Sequence, residues 1–206
     1  MSSSLQIAII SSPNFREGEN KMMINLFKAG VTKFHLRKPE HSSSSIARLL
    51  KKVPSEYHNR IVLHRAPELL NDFELGGYHH RSNEPLREVP CARSRSLHQI
   101  NELQVETELL DYVFFGPVFQ SISKVGHKPK VSLPRLAFAL DKLDAKPKRP
   151  LVYALGGIRR NKISTIVETG FDGVALLGSI WGKPDPVAAY KEFNHFLQNM
   201  SRLHIR

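Results

Sequence analysis

Apolar residues in this chain fall into short, nearly continuous runs separated by stretches with a helical period. Eight segments, at residues 6–10, 33–36, 60–63, 77–79, 91–94, 112–115, 151–154 and 173–177, are candidate strands, most of them with the β-branched or aromatic content of strands. Between most of them lie amphipathic stretches, at residues 21–29, 45–52, 133–140 and 162–168, and a last one at 186–199 begins with Pro186 in its first turn. Alternating strand and helix predicts parallel strands joined by helical crossovers, and eight units predict a single-domain (β/α)8 TIM barrel over residues 1–206. The fourth unit is the weak one, because residues 81–90 hold Pro85 and Pro90 and little helical period. Ser42 to Ser45 read as a loop that caps a helix.

Three of the later strands end alike. Residues 111–124 (DYVFFGPVFQSISK) run from an apolar strand through Gly116-Pro117 into a hydroxyl-rich loop that ends in Lys124. Residues 151–158 (LVYALGGI) and 171–180 (FDGVALLGSI) repeat the plan with glycines, where backbone N–H groups can approach an anion closely. Successive ends of this type predict a phosphate-holding rim at one mouth of the barrel, built from Gly156, Gly157, Gly178 and Ser179.

Composition narrows the function. One cysteine, Cys91, excludes an intramolecular disulfide framework, and the N-terminal segment lacks a basic and apolar leader, so a soluble, cytoplasmic protein is expected, with no membrane partner. The net charge of +11 is scattered along the chain without RNA-binding aromatic motifs, which argues against a nucleic-acid partner and for an anionic small molecule. Cationic and imidazole side chains recur at strand ends: His35 and Arg37, His64 and Arg65, His79, His80 and Arg81, then Arg93 and Arg95. About half should point away from the mouth, since alternate strand residues face opposite ways. The remainder still make a pocket suited to a polyanion and hostile to a free divalent cation. Imidazoles from His35, His64 and His79 suit Zn²⁺, but they include no close ligand pair at motif spacing, so zinc is the less favoured reading.

Taken together, residues 30–38 (GVTKFHLRK), 111–119 (DYVFFGPVF) with Ser121, Ser123 and Lys124, 154–158 (ALGGI), Asn161 and 170–175 (GFDGVA) resemble the thiamine phosphate synthase family and its TenI-like relatives, in order and spacing over nearly the whole chain. The resemblance implies a barrel enzyme that joins hydroxymethylpyrimidine diphosphate to thiazole phosphate and releases pyrophosphate, with Mg²⁺ on the diphosphate. It implies catalytic roles for Arg37 and Lys124, with Ser121 and Ser123 at the family's threonine positions. His35, His64 and Arg65 fall beside them as phosphate contacts, and Gly156, Gly157, Gly178 and Ser179 hold the thiazole phosphate. Phosphorylated thiamine precursors are the implied partners, and a homo-oligomer is compatible with the pattern.

Three positions depart from the family. Where synthases carry Asn-Asp after the third strand, with the Asp a Mg²⁺ ligand, this chain has His64-Arg65. The family's Gly-Gln-x-Asp after the fourth strand reads Arg81-Ser-Asn-Glu84, which leaves Glu84 as the carboxylate for metal. Its Arg-x-Lys becomes Arg37-Lys38-Pro39, which turns the lysine toward another face. Two alternatives stay open: a TenI-like thiazole tautomerase, although Pro117 stands where that enzyme's histidine would be and His79, His80 or His127 would have to substitute, and a non-catalytic barrel that binds a phosphate ester.

Overall fold

The computed structural model describes residues 5–82, 84–105, 109–120 and 129–203. Eight parallel strands close on themselves in chain order: β1 (Gln6–Ile10), β2 (Phe34–Leu36), β3 (Ile61–Leu63), β4 (Gly77–His80), β5 (Ala92–Leu97), β6 (Tyr112–Phe115), β7 (Leu151–Leu155) and β8 (Gly173–Leu176). Closure is made by β1 against β8, with Gln6 beside Gly173 and Ile9 beside Leu176. The helices are α1 (Glu19–Lys28), α2 (Ser43–Leu50), α3 (Leu69–Phe73), α4 (Ile100–Val105), α5 (Leu133–Asp144), α6 (Ile163–Thr169), α7 (Gly178–Trp181) and α8 (Pro186–Leu203). This is the (β/α)8 barrel expected, and no helix among the described residues is long and apolar enough to cross a membrane.

Most strands are buried on both faces, which is why their sequences read as runs rather than alternations; β5, Ala92–Leu97, is the partly buried, polar exception. The outward residues Ile7, Ile9, Phe34, Leu36, Ile61, Leu63, Val113, Phe115, Val174 and Leu176 pack with the apolar stripes of the helices in one large core. The inward set is smaller: Ala8, Ile10, Tyr112, Phe114, Tyr153 and Ala175. Helix starts follow local chemistry. Ser42 caps α2 by accepting the N–H of Ser45 at 3.3 Å, and Pro134 sits in the first turn of α5, where a missing N–H costs nothing.

The strand expectations hold to within a residue except at β5, which runs three residues further, to Leu97. That extension matters because it carries Ser96 to the barrel mouth. The short helices α3, α4 and α7 have no counterpart in the sequence reading, since four to six residues show too little period to detect. Residues 84–90 form no helix between β4 and β5, in line with their two prolines.

One polar feature fixes the turn after β2. Lys38 is buried, and its Nζ reaches Glu19 Oε1 at 2.6 Å and the carbonyls of Ser12 and Asn14 at 2.9 Å each. Ser11 completes the clamp: its hydroxyl accepts the N–H of Arg37 at 2.9 Å and donates to the carbonyl of Arg37 at 3.1 Å. Lys38 is thus directed into the scaffold, while Arg37 faces the mouth of the barrel.

Candidate functional site

A cavity of about 640 Å³ opens at the mouth formed by the strand C-termini. Its floor carries Ile10, Phe114 and Ala175, its cationic side Arg37, Arg65 and Arg81, and its opposite rim Gly156, Gly157, Gly178 and Ser179. The structure therefore brings together Arg37, His64, Arg65, Gly156, Gly157, Gly178 and Ser179 from four different strand ends. Ser121, Ser123 and Lys124, and His127 from the tautomerase alternative, lie outside the described residues.

The glycine rim has a steric cause. Gly156 and Gly157 follow β7 at φ of +93° and +66°, a region that side chains disfavour. A Cβ on Gly156 would stand 2.9 Å from Pro117, and one on Gly157 would stand 2.6 Å from the carbonyl oxygen of Gln120. The loop after β6 thus packs directly on the β7 turn, tied by Val118 N–H to Leu155 O at 2.9 Å and Phe119 N–H to Gly156 O at 3.2 Å. Across the rim, the Ser179 hydroxyl donates to Ile158 O, which links the ends of β7 and β8. Gly178 and Ser179 open α7, whose first N–H groups have no intrahelical acceptor.

Below the cations sits a layer of imidazoles. His35 Nδ1 lies 2.9 Å from His64 Nε2, and His35 Nε2 lies 2.9 Å from the Tyr112 hydroxyl. His79 places its two ring nitrogens 2.8 and 2.9 Å from the hydroxyls of Ser94 and Ser96. His64 stacks on His79 with centroids 4.2 Å apart, and His35 stands edge-on to both. Burial first, then neighbouring imidazoles and cations, pushes all three below the usual histidine range, His79 to about 3. All three are neutral near pH 7. Burial also drives Tyr112 upward, so its hydroxyl keeps its proton.

Several expected residues fall elsewhere. His35 is fully buried beneath the cavity rather than on its wall. Arg93 and Arg95 alternate with Ser94 and Ser96, whose hydroxyls meet His79, so the two arginines face away from the interior; Arg95 donates to the carbonyl of Glu84. The expected metal ligand Glu84 does not line the cavity. Its carboxylate accepts the N–H of Arg81 at 3.1 Å and lies 3.5 Å from Nδ1 of His80, which lines the cavity where Glu84 does not. Among the described residues no carboxylate lines the cavity at all. A hard Mg²⁺ ion, which takes oxygen ligands, does not fit a donor set of imidazoles and guanidinium groups.

Residues missed in the sequence include Ser82, Ser96 and His98. His98 lines the cavity and holds the carbonyl of Gly116 at 2.6 Å through Nδ1. The Arg-Ser-Arg-Ser run of β5 is polar on both faces, so alternation alone does not say which pair points inward.

A parallel barrel with a cationic, glycine-rimmed pocket at the strand C-termini belongs to the class of phosphate-ester-handling barrels. A family model described as thiamine monophosphate synthase matches residues 7–180, and the chain belongs to that family. Curated relatives include thiamine-phosphate synthase from Listeria monocytogenes serotype 4b, 28% identical over 184 residues (82% of this chain, 84% of the relative), and from Oceanobacillus iheyensis, 25% identical over 210 residues (95% and 94%). Among solved structures, thiamine phosphate pyrophosphorylase from Bacteroides thetaiotaomicron superimposes with a TM-score of 0.81 at 28% identity, covering 94% of this chain and 98% of that one. The Pyrococcus furiosus pyrophosphorylase has the same fold, with a TM-score of 0.76 at 16% identity over 95% and 96%.

Proposed function

We propose that the chain couples hydroxymethylpyrimidine diphosphate to thiazole phosphate with release of pyrophosphate. What supports this reading is a cavity lined by guanidinium groups at the ends of β2 to β4 and by glycine backbone at the ends of β7 and β8, across the barrel from them. A reaction that unites a diphosphate ester with a phosphate ester needs both at once. Departure of pyrophosphate spreads negative charge over its oxygens, and Arg37 and Arg65 are placed to neutralise it, with Lys124 assigned the same task from the loop after β6. Gly156, Gly157 and the opening turn of α7 hold the second phosphate through backbone N–H groups. Phe114 and Ile10 offer the apolar floor for the two rings. Among the described residues the cavity offers Mg²⁺ no carboxylate.

The tautomerase alternative needs a proton-transfer residue after Gly116, and Pro117 lines the cavity there. The test is formation of thiamine phosphate from the two precursors by purified protein, in parallel with Mg²⁺, Zn²⁺ and Co²⁺. Product that disappears in Arg37→Ala supports the reading. Absence of product with every ion, while both precursors bind, would make the protein a binding module instead.

A further inference from the structure

Buried polar clusters in a barrel interior need a reason, because apolar side chains of similar volume would pack there without desolvation cost. We propose that His35, His64 and His79 form a tris-imidazole site for a transition-metal ion of the Zn²⁺ class, with its fourth coordination position open to the cavity.

The donor atoms are already gathered. One ring nitrogen from each histidine lies within 4.8 Å of the others, although the residues come from three strands and share no local motif. A Zn–N bond of about 2 Å places two donors on a tetrahedral ion about 3.3 Å apart, close to the 2.9 Å between His35 Nδ1 and His64 Nε2. His79 has to rotate toward them, giving up one of its two serine contacts. Donor type selects the ion: neutral imidazole suits Zn²⁺, Co²⁺, Ni²⁺ and Cu²⁺, whereas Mg²⁺ requires oxygen.

Groups that orient such ligands are in place too. When His35 Nδ1 turns its lone pair to the metal, its Nε2–H donates to the Tyr112 oxygen at 2.9 Å. Whichever nitrogen His79 commits, the other keeps a serine hydroxyl. His64 and His79 line the cavity and His35 lies beneath it, so the face left open points toward the substrate space.

Arg37 and Arg65 stand on the same side and repel a bare dication. An anion held by them offsets that repulsion and can fill the fourth position. Metal and phosphate should therefore bind cooperatively, each tightening the other by the same factor.

Protein stripped with a chelator is titrated with Co²⁺, whose visible absorption reports its coordination. One ion per chain is expected, with the intense bands of four-coordinate cobalt. His64→Ala and His79→Ala lose those bands while circular dichroism shows an intact fold, and His195→Ala, at an exposed imidazole of α8, keeps them. Tyr112→Phe keeps the bands with affinity about 10- to 100-fold weaker. Added inorganic phosphate shifts the bands and tightens Co²⁺ binding. The inference is overturned if the unaltered protein shows no such bands, if they survive both histidine substitutions, or if phosphate leaves Co²⁺ affinity unchanged. The readout involves neither precursor, so loss of the synthase reading would not decide it.

Discussion

Lys38 Nζ and Glu19 Oε1 lie 2.6 Å apart, with the two side chains 0% and 1% exposed. A pair this deeply buried is a commitment: each charge is tolerable only while the other is present. Glu19 also accepts the N–H of Arg16, so one carboxylate joins the turn before α1 to the end of β2.

Glu19→Ala is expected to cost about 3–5 kcal/mol, because it leaves an ammonium buried without its counter-charge. The double change Glu19→Leu with Lys38→Met should recover most of that loss. Urea unfolding of the three proteins measures it, and a double variant no more stable than the single would show that the carbonyls of Ser12 and Asn14 satisfy the lysine on their own.

Gly157→Ala should destabilise by roughly 1–3 kcal/mol, since the new Cβ meets the Gln120 carbonyl and the backbone stays at positive φ. Phosphate affinity should fall with it, because the rim opens as the β6 loop moves away. A thermal melt with and without phosphate separates the two effects.

Arg37→Ala should weaken pyrophosphate binding in Mg²⁺-free buffer by about 1.5–3 kcal/mol, the range for a charge-assisted contact. Isothermal calorimetry reads this directly. Unchanged affinity would move the diphosphate to the glycine side of the cavity.

His64→Asn with Arg65→Asp should change which ion the protein uses. The double variant loses an imidazole and a cation and gains a carboxylate at the cavity wall, so coupling of the two precursors should become Mg²⁺-dependent. In the unaltered chain, raising Mg²⁺ should leave the rate flat. Strong Mg²⁺ dependence in the unaltered protein, abolished by the double change, would falsify the account of the cationic wall.

Much of the fold was legible because two-sided burial writes parallel strands as apolar runs: β1 and β6 are read to the residue. The glycine rim was legible for a related reason, as positive φ at Gly156 and Gly157 demands that residue type. What stayed hidden depends on which way a strand faces. In β4, His79 turns inward while His80 packs on Tyr78 and Glu84, and His79-His80 looks the same in either orientation. The convergence of His35, His64 and His79 is set by strand order and stagger around the barrel, which no local spacing records. Glu84 was expected at the mouth because it stands at the end of the run that matches the family's Gly-Gln-x-Asp, whereas its carboxylate accepts the N–H of Arg81 in its own turn.

Closure of the barrel also dictates an order of events during synthesis. Until β8 has been made, β1 carries an unpaired edge of Ile7, Ala8 and Ile9, the kind of apolar strand that templates association between chains. Chains emerge N-terminus first, so this edge waits through the making of some 160 further residues before Gly173 can dock on Gln6. Trp181 then locks the seam by donating its indole N–H to the carbonyl of Ile10. Changes near the chain's end that delay this docking will therefore appear first as poor yield and inclusion bodies, well before they lower the stability of molecules that have folded.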